Sequence, residues 1–145
     1  MIYERPVVTG ASMVRLGVVR LMKMAALDAE DLLILSTLLE GALLRASDMT
    51  YQAREQRFVS VLTRKDDPSK TPSMPAGLHF NRVTQVKSIG MPDRSSNTVL
   101  TLIGLMFNPR EAPSGEVILA FEKDIAIKLT VECLEVALSD LAPQK

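Results

Sequence analysis

The chain is poor in the residues that usually announce chemistry. Its 145 residues include one cysteine, Cys133, one histidine, His79, and no tryptophan. A single cysteine excludes an internal disulfide framework and any cysteine-rich zinc site. A single histidine leaves a zinc or iron centre leaning on carboxylates and one thiol, a donor set that proteins rarely use. Lys plus Arg total 17 and Asp plus Glu total 17, so the net charge is zero. There is no global pull toward nucleic acid or an anionic membrane. The longest apolar runs, 32–39 and 99–107, fall well short of the roughly twenty residues a membrane helix needs. Seven scattered glycines form neither a dinucleotide fingerprint nor a P-loop.

What is present is an ordinary globular composition, 47% hydrophobic and 23% charged. A chain of this length buries enough surface to fold without disulfides or metal. The lone cysteine fits a reducing compartment, and the expected location is cytoplasmic. At the N-terminus, Glu4, Pro6, Arg15 and Arg20 interrupt what a secretory signal would keep apolar. Residues 1–19 are expected to be a loosely ordered extension, with Met13 or Met22 as alternative starts. Residues 20–142 form the single domain and 143–145 a tail.

Apolar spacing predicts a strand over 21–26, then a helix in "LDAEDLLILSTLLEGALL". Asp28 is its N-cap, Glu30 and Asp31 suit the positive end of the helix dipole, and Gly41 marks the stop. Strands follow in "LLRASDMTY" and "RFVSVLTR", then a proline-bearing loop over 65–77. "LHFNRVTQVKSI" predicts one long strand with a bulge near Asn81–Arg82. "TVLTLIGLMF" predicts a central strand. "EVILAF" and "IAIKL" alternate around "EKD" as a hairpin. Val131, Leu134, Leu138 and Leu141 stand at i, i+3, i+7 and i+10. That spacing predicts a C-terminal amphipathic helix with Cys133 packed in its first turn.

The expected fold class is therefore α+β: a mostly antiparallel sheet or half-barrel, one helix near the N-terminus and a C-terminal amphipathic helix. The element order has an analogue in the pleckstrin-homology-like half-barrel plugged by a helix. The segments "ALDAEDLLILSTLLEGALLRASDMTY", "RFVSVLTR", "LHFNRVTQVKSIG" and "IAIKLTVECLEVALSDL" resemble a family of uncharacterised bacterial proteins, domain-of-unknown-function family 2948. The resemblance covers nearly the whole domain. It implies a small soluble bacterial protein and brings no reaction, ligand or catalytic residue.

Catalytic constellations are not legible. Cys133 is flanked by Glu132 and Glu135, and negative charge disfavours a thiolate. The pairs Asp66–Asp67 and Glu30–Asp31 lack the contrasting environments that acid–base work needs. No cofactor or metal is expected. The best functional signal is basic: Arg54, Arg57, Arg64, Lys65 and Lys70 around the "RF" strand, with Arg82 and Lys87 joining if the strands pair. Only Tyr51, Phe58 and Phe80 stand near them, too few aromatics for a nucleic-acid surface. The leading expectation is a non-enzymatic binding domain that uses Arg57, Arg64, Lys65, His79 and Arg82 toward a protein partner or a small anion. The alternative is an enzyme with its site around His79 and Arg82. A homo-oligomer pairing through an exposed strand edge is a third reading.

Overall fold

The computed structural model describes residues 12–16, 19–64, 75–93 and 97–141. Ser12–Leu16 (β1) and Val19–Ala26 (β2) form an antiparallel pair. So part of the segment expected to be a loose extension is a strand; residues 1–11 and 142–145 lie outside the described residues. The helix α1 spans Ala29–Leu39, and the Asp28 carboxylate accepts the Asp31 N–H at 2.8 Å, as the cap predicts. Leu32, Leu35 and Leu39 form its buried stripe. Gly41 follows at φ +85°, the left-handed region that glycine enters cheaply.

The remaining elements are strands. They are β3 (Leu43–Arg45), β4 (Met49–Gln52), β5 (Arg57–Thr63), β6 (Pro75–Phe80), β7 (Val83–Ile89) and β8 (Val99–Pro109). They continue with β9 (Gly115–Phe121), β10 (Ile125–Val131) and β11 (Val136–Asp140). All pairings are antiparallel, in the order β1-β2-β11-β6-β5-β3-β8-β9-β10-β7, with β4 on the side of β5. The fold is an α+β domain with one described α-helix. Alternation along β5, β6, β9, β10 and β11 turns Phe58, Leu78, Phe80, Leu119, Leu129 and Leu138 into one core that also takes in the helix stripe. The long sheet bends back on itself. Tyr51 of β4 donates its hydroxyl to the Val83 carbonyl of the last strand at 2.7 Å.

Three expectations are corrected. The C-terminal helix is a strand: residues 134–140 alternate strictly between buried and half-buried, and β11 lies between β2 and β6. With it goes the helix that carried the half-barrel analogy. Cys133 sits half-buried in the corner between β10 and β11, not in a helical turn. The long strand of 78–89 is two strands, because the bulge expected at Asn81–Arg82 is a full corner with Arg82 at φ +61°. Likewise "LLRASDMTY" is broken into β3 and β4 by a short 3-10 turn at Ala46–Asp48.

That corner has a twin. The chain turns at Asn81–Arg82 on its way from β6 to β7, and at 132–135 on its way from β10 to β11. The two corners clasp each other: Asn81 N–H donates to the Glu135 carbonyl at 2.9 Å, and Glu132 N–H donates to the Arg82 carbonyl at 3.0 Å. Two neighbouring strands thus bend together and keep their hydrogen bonds through the bend. Elsewhere in the fold α1 docks on β8. Ser36 Oγ accepts the Leu105 N–H at 2.8 Å where the β8 register slips between Leu102 and Gly104.

Candidate functional site

The double corner gathers three of the residues singled out by sequence. Arg57, at the start of β5, donates through Nε to Asn81 Oδ1 at 2.9 Å. The Asn81 amide donates to Glu135 Oε2 at 2.7 Å, and Arg82 Nε stands 3.9 Å from Glu135 Oε1. Two guanidinium groups thereby share one carboxylate, with an amide as relay. Exposed pairs of this kind add little stability. They gather the cationic side chains at one end of a sheet face.

His79 belongs to that face. It stands in a cross-strand row that runs Ala25, Ala137, His79, Val59, Thr50. Burial pushes the imidazole below its ordinary value of 6.5, the Arg57 guanidinium adds to that shift, and the Glu135 carboxylate opposes it. The folded protein therefore resists protonation that the unfolded chain accepts. The His79 contribution to stability is complete above pH 6.5. It is lost as pH falls through the lower folded value. We expect His79→Gln to flatten the acid limb of the stability profile, measured as urea midpoints from about pH 7.5 to about pH 5. Parallel profiles for the two proteins would refute this account.

The other basic candidates separate from this site. Arg64 turns away and forms a two-pronged pair with Asp140, Nε to Oδ1 at 3.0 Å and Nη2 to Oδ2 at 2.7 Å. The Asp140 side chain is only 2% exposed and that of Arg64 15%. This is a structural pair. Lys87 lies on β7 facing Lys128 of β10, on a different surface. Lys65 and Lys70 lie outside the described residues. Arg54 is exposed in the β4–β5 turn.

A groove of about 740 Å³ lies elsewhere, lined by Thr37, Glu40, Thr63, Arg64, Thr101 and Glu122. It brings together two carboxylates and three hydroxyls, while the guanidinium in it is already engaged by Asp140. No group of three or more His, Cys, Asp or Glu side chains suited to hold a metal occurs among the described residues. No described helix is long and apolar enough to cross a membrane.

Sequence reasoning missed Glu135 and Asn81, which join the cations. Glu135 looks like a solvated helix residue when "VECLEVALSDL" is taken as helical. Only a partner strand supplies the register that sets it beside Asn81.

The sequence model of the family described as "Protein of unknown function (DUF2948)" matches residues 22–145. No curated protein and no solved structure matches the chain. The chain belongs to that family of proteins of unknown function.

Proposed function

We propose, for this member of a family without an assigned activity, a non-enzymatic binding domain that meets a protein partner on the outer face of β2, β11, β6 and β5. The supporting observation is the composition of two adjacent rows on that face. One is the row of Ala25, Ala137, His79 and Val59; the next is Lys23, Ser139, Gly77 and Val61. Small side chains occupy the central strands, so another surface can approach the sheet closely. Val61, 44% exposed, adds apolar area. Arg57, Asn81, Glu135 and Arg82 form a polar rim at one end. An apolar centre with a polar rim is the usual anatomy of a protein interface. The rim cations also suit a small anion as a lesser ligand. Zero net charge argues against nucleic acid and membrane lipid as partners. In this reading the protein works in a bacterial cytoplasm.

Ala137→Glu sets a charge in the centre of the face without touching the core. We expect a partner captured by the wild-type protein to be lost from this variant at an unchanged melting temperature. Equal recovery on both would overturn the reading. The enzyme alternative rests on one observation, the lowered pKa of His79, which suits a neutral base. A metabolite that co-purifies with the wild-type protein and is lost from His79→Ala but not from Ala137→Glu would favour it instead.

A further inference from the structure

We propose that the outer edge of β7 is a docking edge for an extended acidic peptide, added as a further strand. This surface differs from the sheet face discussed above, and the inference does not rest on that reading. β7 ends the strand order and pairs only with β10 among the described strands. It is seven residues long, and Thr84, Gln85, Lys87, Ser88 and Ile89 are exposed. Val83 is already engaged, its N–H by the Gln56 carbonyl and its carbonyl by the Tyr51 hydroxyl, so the edge from Thr84 to Ile89 presents main-chain donors and acceptors to an extended segment laid beside it.

Charge selects which segment. Lys87 stands directly opposite Lys128 in the β7–β10 ladder. Like charges in that position repel. Neither lysine has a carboxylate within ion-pair distance among the described residues. A strand added outside β7 places one of its residues next to Lys87 in the same row, and a carboxylate there relieves the repulsion. A second copy of the protein does the opposite. Two β7 edges paired antiparallel about Lys87 would line up four lysines, so the edge rejects its own kind and accepts an acidic stranger.

The inner side supplies the rest of the pattern. Side chains alternate along a strand, so the residues flanking the acidic one point to the other face of β7. There Val86 and Ser88 help line an apolar pocket of about 150 Å³ with Tyr51, Phe58, Met91 and Ile127. Methionine in such a lining adapts to differently shaped apolar side chains. The favoured ligand alternates acidic and apolar residues.

The test uses a fluorescein-labelled peptide, seven residues like β7 itself, that alternates valine with glutamate. Controls are the same peptide with lysine for glutamate and one with the same composition in scrambled order. Saturable binding of the alternating glutamate peptide by anisotropy is expected, with amide exchange slowed across Thr84–Ile89. Lys87→Glu should weaken this peptide by about tenfold or more and strengthen the lysine peptide correspondingly. The variant removes a repulsion with Lys128, so it should melt no lower than wild type. Lys128→Glu reports on the same row independently. Ala137→Glu should leave this binding unchanged, which separates it from the sheet-face reading. Absence of saturation, indifference to Lys87→Glu, equal affinity for the scrambled peptide, or self-association through β7 seen by light scattering would each overturn the proposal.

Discussion

A chain that stops at Cys133 is expected to be unfolded. The lost segment holds β11, which is hydrogen-bonded on both sides, to β2 through Val136–Ser139 and to β6 through Val136–Asp140. Leu134, Val136 and Leu138 are all within 5% of complete burial. At roughly 1.5–3 kcal/mol each, these three side chains account for much of the ~5–15 kcal/mol that keeps a domain folded. The loss of two ladders and of the Arg64 partner adds to that. Far-ultraviolet circular dichroism and a thermal melt suffice to check this. A cooperative transition in the truncated chain would contradict the central place given to β11.

The same segment explains what was legible in the sequence and what was not. Two periods coexist in it. Val131, Leu134, Leu138 and Leu141 satisfy a helix, while Leu134, Val136, Leu138 and residue 140 satisfy a strand. The strand pattern looks broken, because its last inward position is Asp140. What allows an aspartate there is Arg64, distant in sequence and adjacent in space. Local pattern cannot report such a partner, and so the helical reading prevails. Where the decisive contacts are local, the sequence is clear. The Asp28 cap, the helix stripe and the hairpin about Glu122–Asp124 stand as the spacing predicts. The turn of that hairpin puts Lys123 and Asp124 at positive φ. The candidate site follows the same division. Arg57 and Arg82 are linked through Asn81 and Glu135, and of these two Glu135 comes from the misassigned end of the chain.

Arg64→Ala should destabilise the protein by about 3 kcal/mol, because it takes a two-pronged cation from a buried carboxylate. Asp140 is the more enclosed partner, at 2% side-chain exposure against 15% for Arg64. Its charge therefore depends on protein partners rather than on water. Urea unfolding at constant m-value reads the effect directly. The double variant Arg64→Met, Asp140→Leu should regain most of the loss. It removes both charges and fills the space, and a buried pair is often no more stabilising than such a replacement. A loss under about 1 kcal/mol in the single variant would mean that water reaches Asp140 and that the pair behaves like a surface one.

The position of β11 also bears on the order in which the molecule can be made. The ribosome delivers β2 long before β11, and β2 has its inner neighbour only once Asp140 has been synthesised and has left the exit tunnel. Until then β2 and β6 each present an open edge where β11 belongs. Folding of this half of the sheet therefore waits until β11 has emerged, with a long-range closure as its last step. During that interval a chaperone or a neighbouring nascent chain can claim the vacant place between β2 and β6.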